Sequence, residues 1–137
     1  MTDAVIDTDV IIRLVTGDDS AKQARGIALF RRVELGEVTL IAPDTVVADA
    51  VYVLSSPRNY GMERSAIRSA LHSLIRLPGF VMAGKPLVLR ALDIWVEINV
   101  DFGDAMIVAA AESAGIRNVF SFDRDFDRFR QVQRIEP

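Results

Sequence analysis

The chain has 137 residues, half of them hydrophobic, which suits one self-sufficient domain able to take roughly two-thirds of its unfolded surface out of water. Cysteine is absent and His72 is the only histidine, so disulfides, thiolate and multi-histidine metal sites, cysteine nucleophiles and histidine-based triads are closed off. A net charge of −3 from 19 acids and 16 bases gives no general basic surface for nucleic acid, while leaving room for a local one. All the bases except Lys22 and Lys85 are arginine, a bias that suits phosphate or carboxylate recognition and equally suits a GC-rich source. No apolar run approaches the ~20 residues that span a bilayer, and Met1-Thr2-Asp3 ahead of a strand leaves no room for a signal peptide, so a cytoplasmic protein without membrane contact is expected.

The first apolar run stops at Asp7 and resumes after Thr8 and Asp9 as a helix-compatible segment ending near Val15. Gly17 breaks that pattern, and Asp18-Asp19-Ser20 caps a second helix reaching about Gly36, with Ala24, Ile27, Ala28 and Val33 at helical spacing. Thr39 to Ala42 reads as a short buried strand, and Pro43-Asp44-Thr45 opens a third helix through Leu54. Turn residues from Ser55 to Gly61 mark a loop, the expected mobile element. A fourth helix from about Met62 to Leu77 ends at Pro78-Gly79, Phe80 to Ala83 is a strand, and a fifth helix runs from Pro86 to about Ile98. Asp101 to Ala114 is a sixth helix closed by Gly115. A strand from Asn118 to Phe122, a helical turn from Arg124 to Phe129 and a last short strand from Val132 to Ile135 complete the chain. Strands alternating with helices in a chain this size predict a single three-layer α/β/α domain over residues 1–137. Its short central parallel sheet is expected to be covered by helices on both faces.

In open α/β sheets chemistry gathers at the C-terminal ends of the strands, and Asp7 stands at one such end. Asp123, with Asp125 close behind, repeats the device after Val119-Phe120-Ser121-Phe122, and parallel neighbours would bring both ends to one edge. In the third helix, at about 100° per residue, Val46, Val47, Ala50, Val53 and Leu54 form an apolar face with Asp49 at its border. An exposed aspartate there lowers helix propensity for no gain, which a polar cleft would explain better. Asp104 lies in the first turn of a helix that is apolar nearly all round and therefore expected to be buried. Each acid also has a purely structural reading: Asp7, Asp101 and Asp123 as caps, Asp104 on the first-turn amides, Asp49 half-exposed, Asp125 and Asp127 as solvated charges. Four together add mutual repulsion. Carboxylates packed within a few ångströms cannot all ionise unless a cation shares them, which points to a hard divalent ion such as Mg²⁺ or Mn²⁺. With no histidine placed to act as base, activating water against a phosphodiester would fall to one or two such ions.

Taken in order, Asp7-Thr8-Asp9 after an N-terminal strand, an acid on a valine-rich third helix, Asp104-Ala105-Met106-Ile107-Val108-Ala109 and Phe120-Ser121-Phe122-Asp123-Arg124-Asp125-Phe126 resemble the motifs of PIN-domain ribonucleases. The length is most similar to the toxin subunits of bacterial VapBC-type toxin–antitoxin modules, and the resemblance covers essentially the whole chain. It implies a metal-dependent endoribonuclease in which Asp7, Asp49, Asp104 and Asp123 form the catalytic quartet binding Mg²⁺ or Mn²⁺. Thr8, Asp9, Ser121 and Asp125 would support them. It further implies RNA as substrate, a small antitoxin that blocks the site, and a homodimer. Three positions depart from the family's habit: Asp49 where Glu is usual, shortening the reach to a metal by one methylene, Asp9 where Asn or Ser is commoner, and Ser121 where Thr is commoner.

Other features have plainer readings. Arg64, Arg68, His72 and Arg76 recur once per turn along the fourth helix and form a solvated face or an RNA-contacting stripe. Trp95, with Leu87, Ala91, Leu92 and Ile98, reads as core or dimer interface, and Tyr52 and Tyr60 flank the loop as packing residues or as contacts for substrate or antitoxin. Two competing functions remain. One is a PIN-like binding protein with an impaired site, which Asp49 would favour. The other is a phosphatase of the haloacid-dehalogenase type using Asp7-Thr8-Asp9, for which Lys22 and Lys85 are poorly placed.

Overall fold

Strands and helices alternate along a computed structural model that describes residues 2–137. The chain divides into a first unit ending at Lys85 and a second beginning at Pro86. In the first, strands β1 (Thr2–Val5), β2 (Val38–Ile41) and β3 (Phe80–Val81) pair in parallel in the order β1-β2-β3. Helices α1 (Thr8–Thr16) and α2 (Ser20–Glu34) connect the first pair, and α3 (Asp44–Ser55) and α4 (Arg64–Ile75) the second. Successive side chains of a strand point to opposite faces. Leu40 and Phe80, opposite each other in the register, are therefore buried together, with Phe30 of α2 stacked on Phe80 at 6.3 Å. Val5, Ile41 and Val81 are register partners on the other face and are 73%, 44% and 45% exposed.

The local chemistry explains the element ends. Gly17 closes α1 in the left-handed region at φ 66°, its N–H donating to the Arg13 carbonyl at 3.1 Å. Asp19 caps α2 through the Lys22 amide at 3.0 Å. Gly26 lets α1 and α2 close on each other, since a Cβ there would lie 3.3 Å from that of Leu14.

In the second unit, α5 (Lys85–Glu97), which starts on the last residue of the first, is followed by α6 (Phe102–Ala114), β4 (Asn118–Phe120), a 3-10 turn (Arg124–Arg128) and β5 (Gln133–Ile135). β4 and β5 pair in parallel with Phe120 opposite Ile135. Trp95 is core, 2% exposed and edge-on to Phe102 at 6.3 Å, not a base-stacking platform. Arg90 of α5 grips Glu112 of α6 with two bonds of 2.8 and 3.1 Å.

The α/β/α class, the six helices and the parallel direction of pairing among the described residues are as the sequence predicts, but the strands form two sheets rather than one, so β1 and β4, which lead to Asp7 and Asp123, are not paired neighbours. The boundaries differ for identifiable reasons. α4 starts at Arg64 rather than Met62, because the Met62 amide is taken by the Leu54 carbonyl at 2.8 Å and Gly61 turns the chain at φ 54°. β3 stops at Val81, whose carbonyl takes the last bond from β2, the Ala42 amide at 3.0 Å; the next donor in step, Asp44, already belongs to α3. On α3 the buried face takes Val51 in place of Val53, and on α6 Ile107 is 46% exposed, so that helix is less enclosed than its composition suggested. Among the described residues no helix is long and apolar enough to cross a membrane.

Candidate active site

Asp7 follows β1 as the N-cap of α1, with extended backbone (φ −93°, ψ 153°), and its Oδ1 accepts the Thr8 amide at 2.7 Å. The capping reading is correct, and the bond fixes the carboxylate through one of its two oxygens. One cleft of about 540 Å³ is lined by Asp7, Thr8, Asp9 and Asp49. Asp49 thus faces polar space from the border of α3's buried stripe, with Val53 one turn further along the same wall.

Residues from the loop after α3 complete that wall. Asn59 and Tyr60 line the cleft together with Tyr52, which is 73% exposed and so is no packing residue. The Tyr60 hydroxyl donates to Asp18 at 2.6 Å, and Arg13 donates to the same carboxylate, also at 2.6 Å. The Tyr60 bond, then the Arg13 bond, hold the Asp18 carboxyl down at about 2, from an ordinary 3.8. The loop expected to be mobile is therefore tied to the α1–α2 turn. Sequence reasoning missed this because the partners lie 42 positions apart and no periodicity connects them.

In the second unit, carboxylate oxygens of Asp104, Asp123 and Asp125 lie within 4.8 Å of one another. Asp123 caps the 3-10 turn, its Oδ1 accepting the Asp125 amide at 2.9 Å, while the Ser121 hydroxyl accepts the Asp123 amide at 2.9 Å. Asp101 occupies the N-cap position of α6 but makes no side-chain cap; its carbonyl accepts the Asp104 amide at 3.1 Å. Burial, followed by the charges of Asp123, Asp101 and Asp125, raises the Asp104 carboxyl above its usual range. Asp125, expected only in support, is thus a full member of this group.

Arg134, which the sequence did not single out, braces the arrangement. Its side chain, 12% exposed, donates to Asp127 at 2.9 Å, to Glu136 at 2.9 Å and to the Ser121 carbonyl at 3.2 Å. It thereby fixes the turn that presents Asp123. A final parallel strand of three residues carries too little pattern for that role to be legible.

The carboxylates in both places offer oxygens alone, the spacing of the second group suits a shared ion, and a cation there would offset both the burial and the neighbouring charges that raise Asp104. This chemistry fits a hard divalent metal. Of the two lysines open to the phosphatase alternative, Lys85 is taken by the Leu77 and Phe80 carbonyls at 2.7 and 2.8 Å.

Comparison with known proteins is consistent along the chain's length. The PIN domain family model matches residues 4–132. A VapC ribonuclease of Aquifex aeolicus (strain VF5) is 25% identical over 134 residues, covering 96% of this chain and 97% of that protein. Among solved structures, Mycobacterium tuberculosis VapC20, a sarcin–ricin loop cleaving toxin, is 20% identical with a TM-score of 0.38, over 95% of this chain and 98% of its own. Rickettsia felis VapBC2, bound to a DNA fragment from its promoter, is 10% identical with a TM-score of 0.37, over 99% of this chain and 98% of that one.

Proposed function

Because the chain belongs to the PIN-domain family, we propose that it is a divalent-metal-dependent endoribonuclease hydrolysing RNA phosphodiesters, the toxin half of a toxin–antitoxin pair. The observation that carries this reading is the convergence of Asp104, Asp123 and Asp125 within 4.8 Å, with Asp104 raised by burial first and by its neighbours' charges second. Asp7 and Asp49 on one cleft wall support it, as does full-length similarity to a VapC ribonuclease.

The metal-binding and catalytic set is Asp7, Asp49, Asp104 and Asp123, within one domain over residues 1–137. Bound Mg²⁺ or Mn²⁺ supplies charge neutralisation at the scissile phosphate and an activated water. The chain's own residues prepare the ground. The Thr8 amide holds Asp7 in one orientation, the Asp125 amide holds Asp123, and Ser121 holds the Asp123 backbone. Thr8 and Asp9 would support the ion from the Asp7 side, and Asp125, whose carboxylate lies with those of Asp104 and Asp123, would support it from the other. An antitoxin that covers the carboxylates, a homodimeric toxin and a cytoplasmic setting belong to the same reading.

The test compares wild type with Asp7→Asn and Asp104→Asn for Mn²⁺-dependent cleavage of RNA and for melting temperature across a Mn²⁺ titration. A metal bound only by the native state at a hundred times its dissociation constant stabilises by about 2.7 kcal/mol. Wild type should show that rise and cut RNA, and each variant should lose the rise and more than about 100-fold in cleavage. A variant that cuts at the wild-type rate overturns the site. Metal binding without cleavage in wild type would instead favour a binding protein with an impaired centre.

A further inference from the structure

We propose that the groove between α1 and α2 is a track for the RNA backbone, in which Lys22 and Arg25 are positioning residues that hold phosphates of the strand entering the carboxylate cleft. This rests on the ribonuclease reading and deepens it. The groove has a volume of about 310 Å³ and is lined by Asp9, Val10, Arg13, Lys22 and Arg25 over Gly26. The missing side chain at Gly26 gives the groove its floor, since a Cβ there would press on Leu14 at 3.3 Å.

Two observations select a phosphate strand as the occupant. First, the charge reverses locally: with Arg13 paired to Asp18, Lys22 and Arg25 still outnumber the single lining acid Asp9, in a chain whose net charge is −3. Lys22 and Arg25 are exposed and form no ion pair among the described residues, so their charges are available to a ligand. They sit one turn apart on α2, Lys22 placed in the first turn by the Asp19 cap. Second, the groove is continuous with the cleft. Asp9 and Arg13 line both, so a strand whose scissile phosphate sits beside Asp7 and Asp49 meets the groove at their common wall. Arg13 is held at that junction by Asp18 at 2.6 Å. Backbone contacts of this kind position a strand without reading its sequence.

The test uses the full chain, a mixed-sequence single-stranded RNA and the double variant Lys22→Ala/Arg25→Ala. Arg31→Glu, on the opposite side of α2, is the control for the same loss of charge. The double variant should raise KM roughly tenfold with kcat within about twofold. In an Asp7→Asn background, fluorescence anisotropy over a salt series should show the slope of log Kd on log salt falling by about 1.4, two phosphate contacts at ~0.7 each. Arg31→Glu should move neither. Unchanged KM and slope in the double variant, or an equal effect from Arg31→Glu, overturns the track while leaving the ribonuclease reading intact. Loss of poly-glutamate binding with RNA binding retained would assign the groove to an acidic protein segment and also overturns it. A wild type that neither binds nor cleaves the RNA removes the ribonuclease reading and the track together.

Discussion

Asp104 carries a clear electrostatic signature of its place in the acidic group. Burial and three neighbouring carboxylates disfavour its charge, so its folded-state affinity for a proton exceeds the unfolded one. For an acid raised in this way, the stabilising contribution is fully present below the unfolded value near 3.8 and is lost as pH rises from there through the folded value. Metal-free protein should therefore lose this contribution as the pH rises from about 3.8 through the folded value, and Asp104→Asn should remove that slope. In chelator, the variant should melt no lower than wild type at pH 7, and higher if the repulsion dominates; in Mn²⁺ the order should reverse. Calorimetry with and without metal reads both, and a lower melting point in chelator would mean the carboxylate serves α6 as a structural group. Asp49 offers the complementary substitution. It is exposed on a cleft wall with room for a longer side chain, so Asp49→Glu should fold normally and bind Mn²⁺ up to about tenfold more tightly. Isothermal titration checks this, and weakened binding would show that the shorter acid suits this cleft.

Between elements, the joint formed by Arg13, Asp18 and Tyr60 ties α1, the α1–α2 turn and the loop after α3 into one wall of the cleft. Asp18 is depressed to about 2 by Tyr60 first and Arg13 second. For a depressed acid, stability is fully present above the unfolded value near 3.8 and is lost as pH falls toward 2. Asp18→Asn should therefore flatten the acid limb of the melting curve between pH 4 and pH 2, measured from an already lower starting stability, and Tyr60→Phe should do so in part. An acid limb identical to wild type would mean the joint does not form in solution. Because the same loop lines the cleft, these variants should also affect cleavage at neutral pH, where Asp18 is ionised in both states. The elements were the most legible part of the sequence, since apolar spacing, Gly17, Gly115 and Pro43 each carry a local physical signal. The joint was not, because it depends on a contact made only after the elements pack.

At the scale of the whole molecule, the parallel pairing and the six helices of the described residues could be read from alternation alone; Asp7, Asp104 and Asp123 stood out by their places at strand ends and a helix start, and Asp49 by its place at the border of an apolar stripe. Arg134 and the full membership of Asp125 in the acidic group could not, because a short strand and a 3-10 turn have no period to read. The proposal of one domain over residues 1–137 has a thermodynamic consequence. The stretch Pro86–Pro137 is shorter than the roughly 60-residue length at which a lone domain buries only about 60% of its surface and is marginal. Such a stretch should not melt by itself. Leu54→Ala in the first core and Trp95→Ala in the second remove side chains that are 0% and 2% exposed. Each should cost about 3 to 5 kcal/mol. If folding is cooperative along the chain, both substitutions lower the same single calorimetric transition, by roughly 3 °C per kcal/mol. Calorimetric and van't Hoff enthalpies should agree for wild type. Two transitions, one moved only by Leu54→Ala and the other only by Trp95→Ala, would show that the chain folds as two thermodynamic domains.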